Sequence, residues 1–257
     1  MSAARGLPWL RIFVEGVVIV GSILLAFAID AWWDGRQDRA QEHTYLRLLV
    51  TDMQQTLDNN ARFGGRADSV DWAGARLVRA YYEPELPPRD SILKWFAWGT
   101  GHWVVQPTLG TVQSLVSTGD IDLIRDDSVR VAVSRYLNVM TAFEGFEQKA
   151  ADDFLNARDE LSRHVDLELL RLNQFSVTER DSLASTDNLF PFPAGQLRPQ
   201  RLVDVQALVR NEEVHRILER MNRAKTTMRL NRRRMRMSSE QLLEQVEPAL
   251  ARRGFTQ

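Results

Sequence analysis

LRIFVEGVVIVGSILLAFAIDAWW, residues 10–33, decides the architecture of this chain. Residues 16–29 carry no charge and are dominated by Val, Ile, Leu, Ala and Phe. About 20 helical residues cross a hydrocarbon core of roughly 30 Å, so residues 12–32 suffice for a transmembrane helix. Glu15 falls near one interface, and Trp32 with Trp33 forms an aromatic belt at the other. A buried core helix is a poor alternative, because the segment is apolar all round and flanked by tryptophans. A signal peptide is the sharper one. Arg5 and Arg11 would form its basic region, and Ala26-Phe27-Ala28 is a small-x-small cleavage pattern that predicts a mature start at Ile29. The apolar run continues past that site into a helical extension, which favours an uncleaved anchor.

Glu15, Ser22, Ala26 and Asp30 follow one another at spacings of seven, four and four and share one helical face. Small residues let helices approach closely, and a carboxyl group in a membrane favours a partner, so this face is a candidate for self-association or for docking a partner helix. The competing reading is that Glu15 and Asp30 snorkel to their interfaces. Orientation is not decided by charge, since Arg36, Arg39 and Arg47 offset Arg5, Arg11 and the terminal amine. Both the anchor and the signal-peptide reading place the large domain outside the cytoplasm.

Outward from the anchor, the expected organisation is a tail over 1–11, the anchor over 12–33 and an all-α soluble domain over 34–257. Residues 36–60 contain no helix breaker and space Leu46, Leu49, Met53 and Leu57 helically, so the anchor should continue as a stalk. Gly64-Gly65 is expected to end it, with a second helix over 69–82 stopping before the prolines of 83–88. Residues 91–105 hold the densest aromatic cluster, Trp95, Phe96, Trp98 and Trp103, which reads as core or as the lining of a ligand pocket. Pro107-Thr108 should open a helix over 109–117 closed by Gly119, and Asp126 or Asp127 should cap the next.

That next helix, 128–172, places Tyr136, Met140, Phe143, Glu147, Ala150, Phe154, Ala157, Leu161 and His164 at alternating spacings of four and three, the signature of a coiled-coil seam. Glu147 weakens the row locally, and Gly145 beside it suggests a bend. Val214, Met221, Met228, Met235 and Leu242 repeat every seven residues in a matching helix, 212–250. The two should pair as a long antiparallel hairpin, joined by the proline-containing stretch 173–201.

The chemistry is sparse. A composition of 44% hydrophobic and 26% charged residues is ordinary for a folded chain, and a formal charge of -1 leaves no global field to draw it onto nucleic acid. The absence of cysteine excludes disulfides, thiolate metal sites and a cysteine nucleophile. His43, His102, His164 and His215 are scattered without metal-ligand spacing, so neither a metal nor a cofactor is expected. Adjacent acids such as Asp152-Asp153 and Glu212-Glu213 point to different sides of a helix and make no acid/base pair alone. Residues 229–236, RLNRRRMR, preceded by Arg220 and Arg223 in the same arginine-rich span, offer Arg229, Arg232, Arg233 and Arg236 as candidate anion ligands for lipid headgroups or nucleic-acid phosphate. Set against this, they are interleaved with core methionines, and pairing with Asp152, Asp153, Asp159 and Glu160 of the neighbouring helix is the favoured expectation. Lysine occurs only at Lys94, Lys149 and Lys225, an arginine bias that goes with GC-rich bacterial genomes.

The run Leu25-Ala26-Phe27-Ala28-Ile29-Asp30-Ala31-Trp32-Trp33-Asp34, an Arg-rich step, Tyr45-Leu46-Arg47-Leu48-Leu49, Asp52 and Asn59-Asn60 together resemble an uncharacterised family of bacterial single-pass membrane proteins, known only as a domain of unknown function. LGTVQSLVSTGDIDLI at 109–124 and the asparagine-capped start at 211–221 are similar to it as well. The family shows amides where this chain has Asp30 and Asp34. The resemblance implies membrane attachment and an all-helical domain, and it carries over no activity or catalytic residue.

These readings give a membrane-anchored helical interaction or sensing module, partnered by the lipid bilayer and by a second copy or another membrane protein. It is expected in the bacterial inner membrane with a cytoplasmic N-terminus and a periplasmic domain. The alternatives are an enzyme built around His102, Trp103 and acids in the 83–105 region, or an arginine-based binder of anionic lipid or nucleic acid.

Overall fold

The computed structural model describes residues 8–167, 170 and 203–254. The expected connection at 173–201, the basic side chains Arg5 and Arg11, and the far end of the helix expected over 128–172 lie outside the described residues. Among those described, all regular secondary structure is helical: α1 (Pro8–Ala80), α2 (Arg89–Gly99), α3 (Gly110–Thr118), a short 3-10 turn (Asp120–Leu123), α4 (Asp127–Ser162), α5 (Val205–Arg210) and α6 (Glu212–Gly254).

The stalk does not end at Gly64-Gly65. α1 is one helix of 73 residues, about 110 Å long at 1.5 Å per residue. A glycine in a helix interior costs about 1 kcal/mol relative to alanine. That is less than the packing gained by keeping Ala67, Val70, Ala73 and Leu77, all buried, on the same rod as Leu46, Leu49 and Met53. The separate helix expected over 69–82 is therefore the last part of α1. Gly145 likewise produces no break in α4, and open space surrounds the position of its missing side chain.

Other boundaries follow their local signals. Gly119 closes α3 with φ of 81°, in the left-handed region that glycine adopts freely. Asp126 caps α4 by accepting from Ser128 N, and Asn211 Oδ1 accepts from Val214 N at 3.1 Å at the start of α6. α4 ends at Ser162, short of the expected 172. Arg163 N and His164 N there bond back to Glu160 O and Leu161 O, tightening the last turn, while Val165 turns into the core.

α1, α4 and α6 form the body of the molecule. The pairs Tyr136–Ser239, Glu147–Asn231 and Glu160–Arg220 run in opposite chain directions along α4 and α6, so these helices are antiparallel. Asn60 of α1 and Tyr82, in the turn just past its end, meet Arg232 and His215 of α6 in the same antiparallel sense. α6 thus serves both of its neighbours, and α2, α3 and the 3-10 turn fill the sides.

The core is divided. One apolar cluster, near the stalk, contains Leu49, Met53, Leu115, Ile124, Val133, Met140, Met235 and Val246. The other, at the far end, contains Leu77, Phe96, Phe154, Leu161, Ile217 and Met221. Phe13 to Trp33 is exposed on every side, and an 18-residue window there has a mean hydropathy of 2.1 with none of it buried. This part of α1 is long and apolar enough to cross a membrane.

Candidate functional site

Where the two apolar clusters meet, polar side chains take over the core. Arg232 of α6 is buried, and its Nη2 donates to Asp71 Oδ2 at 2.8 Å and Asp68 Oδ1 at 3.5 Å on α1. Asn60 Nδ2 donates to the Arg232 carbonyl at 2.9 Å. Across the bundle, Asn231 Nδ2 donates to Glu147 Oε2 on α4 at 3.1 Å. Adjacent residues of α6, which project about 100° apart, thereby reach two different helices, α1 and α4. Such a layer penalises sliding of any helix, because a shift strands desolvated polar groups.

Lys225, one helical stretch earlier on α6, is 1% exposed. Its Nζ donates to Val70 O at 3.2 Å and to Gly99 O, and lies 5.4 Å from the centre of the Phe154 ring. Two glycines make the space. A side chain on Gly74 would come within 2.9 Å of Nζ, and one on Gly99 within 2.9 Å of the Gly74 backbone nitrogen. Burial pulls the Lys225 pKa down to about 8, against a smaller opposing pull from Asp71. Beside it, His102 packs on Phe154 with ring centres 4.7 Å apart. Burial, reinforced by the positive charges of Arg158 and Lys225, lowers the His102 pKa.

The polar layer opens to one side. A cleft of about 190 Å³ lies between α4, α6 and the extended segment after α2, walled by Val105, Pro107, Met140, Phe143 and Met235. Gln106, Glu144, Glu147, Gln148 and Asn231 contribute its polar groups, and among the described residues no lysine or arginine lines it. Glu147 Oε1 is buried without a hydrogen-bond partner among the described residues. Burial raises the Glu147 pKa, with Asp71 adding to the rise, while the Asn231 hydrogen bond and the Arg232 charge oppose it. Wider depressions lie at Arg158–Leu167 and between Phe146, Lys149, Arg220 and Arg223, but there acids and bases are intermixed.

The residues singled out from sequence disperse. Trp95 and Phe96 are buried, 8% and 0% exposed, whereas Trp98 and Trp103 are 48% and 37% exposed and do not join them in the core. Helical periodicity separates them: Trp95 and Phe96 lie on the inner face of α2, Trp98 on its rim and Trp103 beyond its end. Trp103 stacks on Phe63 at 6.1 Å, His102 goes to Phe154, and Glu83 meets Arg76. The groups suggested for an enzyme in 83–105 therefore have different neighbours, and the carbonyls of Tyr81, Glu83 and Pro84 are occupied by Arg210.

The four arginines do not share one exposed face. Arg229, Arg233 and Arg236 are exposed, with Arg236 3.7 Å from Glu240, but Arg232 faces inward. Its acids come from α1 rather than from α4. Of the expected cross-helix pairs, Arg220–Glu160 forms. Along the anchor, Ser22 Oγ donates to Val18 O at 2.8 Å within its own helix, and Ser22, Ala26 and Asp30 are exposed on the face shared with Glu15.

Against this geometry stand the comparisons with known proteins. No family model, curated protein or solved structure matches the chain. The functional reading therefore rests on the residues themselves. Lys225 and the Glu147–Asn231 pair were not legible as a site, because nothing local distinguishes a lysine or a seam glutamate that faces inward. The one available signal was Glu147 standing as the single acidic residue in its row.

Proposed function

We propose that the chain is a membrane-anchored interaction or sensing module, with α1 spanning the membrane and carrying the bundle on its rigid continuation. The observation that carries this reading is the single uninterrupted α1, whose first part is apolar and exposed all round and whose last part is the spine of the core. Thirteen large apolar side chains between Phe13 and Trp33 are exposed. At about 1.5–3 kcal/mol each, placing them in hydrocarbon gains on the order of 20 kcal/mol or more.

Polar locks couple rod and bundle at the stalk end. Glu42, 1% exposed, accepts from Arg125 N at 2.8 Å, and Tyr45 donates to Asp120 Oδ2 at 2.6 Å. Asp52 Oδ2 accepts from Thr111 N at 2.9 Å, capping α3 from the side of α1. A turn or tilt of the anchor is transmitted to the bundle through these contacts, which suits a sensor or a rigid tether. In this reading α4 and α6 form a coiled-coil hairpin, supported by their heptad rows. The face of Glu15, Ser22, Ala26 and Asp30 meets a second copy or a partner helix. The bundle lies on the periplasmic side of a bacterial inner membrane.

Reporter fusions after Gln257, one active only in the cytoplasm and one only outside it, test the placement, together with the mass of the mature chain. An external reporter and retention of residues 1–28 are expected. A cytoplasmic reporter would overturn the placement, and loss of residues 1–28 would overturn the anchor.

A further inference from the structure

The cleft at the polar layer has a size and a chemistry that select an occupant. An apolar cavity of about 150 Å³ accommodates benzene, so about 190 Å³ accepts one ring or a branched aliphatic body with a small head group. Phe143, Met140 and Met235 offer aromatic and thioether surface, which receives such a body and also attracts a cation. The charged groups lining the cleft are Glu144 and Glu147, both acidic. Locking the helix register needs only Glu147 Oε2, which Asn231 engages, and leaves Oε1 as a buried acceptor with no partner among the described residues. A buried carboxylate oxygen is stabilised most by a charged donor.

Resting on the sensing reading above, we infer that this cleft binds a small organic ammonium ion, its N–H groups donating to Glu147 Oε1 and its apolar body held by Phe143, Met140 and Met235. Burial and Asp71 disfavour the Glu147 carboxylate, and Asn231 and Arg232 favour it. An arriving cation adds to the second group, so binding expels the proton from any fraction of the carboxyl still protonated.

Calorimetric titration of the full chain in detergent micelles, with benzylamine, benzyl alcohol and benzoate as probes, tests the inference. Benzylamine should bind saturably and at least tenfold more tightly than benzyl alcohol, and benzoate should not compete. Glu147→Gln should lose at least tenfold in benzylamine affinity, and Ala151→Leu, at a residue that lines the cleft and would narrow it, should weaken both benzylamine and benzyl alcohol. Equal binding of benzylamine and benzyl alcohol, preference for benzoate, or unchanged affinity in Glu147→Gln would overturn it. Absence of saturable benzylamine binding would also overturn it and leave the cleft to water; the comparison of probes on the unaltered chain requires no variant to fold. The reporter result separates the two proposals. Benzylamine binding by a cytoplasmic chain would keep the site and remove the placement, whereas an external, anchored chain that ignores benzylamine would remove this inference alone.

Discussion

Two ionisable side chains, the buried Lys225 and the half-buried Glu147, make opposite demands on pH. The unfolded chain holds the Lys225 proton up to its ordinary pKa of 10.5, while the folded chain releases it near 8. Between those values the unfolded state binds more protons, so the Lys225 contribution to stability rises with pH. Urea unfolding of wild type and Lys225→Met across this window should show the difference moving toward wild type by about 3 kcal/mol. A pH-independent difference would mean that Lys225 is not desolvated. Glu147 works the other way. Its folded pKa lies above the ordinary 4.5, so above that pH the folded state holds a proton that the unfolded state has lost, and stability falls as pH rises through the folded pKa. Glu147→Gln keeps an acceptor for Asn231 and should be more stable than wild type at neutral pH by on the order of 1 kcal/mol. The gain should shrink toward pH 4 in thermal melts.

For the elements, the glycines of α1 and α2 differ in what surrounds them. Gly65 has open space and Gly64 only its own Asn60 within 3.8 Å. Gly64→Ala with Gly65→Ala should stabilise the fold by about 1–2 kcal/mol through helix propensity alone, read as a higher denaturation midpoint. A loss of stability would argue that α1 needs a break there. Gly99 is opposite in kind, since an added methyl would meet the Gly74 backbone at 2.9–3.0 Å. Gly99→Ala must part α1 from α2 and should cost about 1–3 kcal/mol, measurable in the same unfolding series. Sequence patterning identified helix in the stretches of α1, α3, α4 and α6 and offered Asp126 or Asp127, and Asn211, as caps, because those signals depend on residues within one turn of each other; it did not mark α2 or α5 as helices. It misread Gly64-Gly65, because the glycine penalty is local and small while the compensating contacts of Val70 and Leu77 come from α2 and α6.

At the scale of the whole molecule, the apolar segment and the bundle are separable in energy though continuous in backbone. Replacing Ile19 and Ile23 by arginine should disfavour insertion by about 3 kcal/mol each. In alkaline extraction of membranes the altered chain should move from pellet to supernatant, while its cooperative thermal transition is retained. A chain that stays in the pellet would indicate attachment by a surface other than 12–33. By itself the sequence determined the apolar span and the helical character of the described residues, since each is a pattern carried by neighbouring residues on one helix. Only the tertiary structure decided that Arg232 turns inward to Asp68 and Asp71, that Lys225 enters the gap left by Gly74 and Gly99, and that Glu147 borders a cleft. Those outcomes depend on which faces of three long helices meet and at what register, and residues more than a hundred positions apart contribute to each.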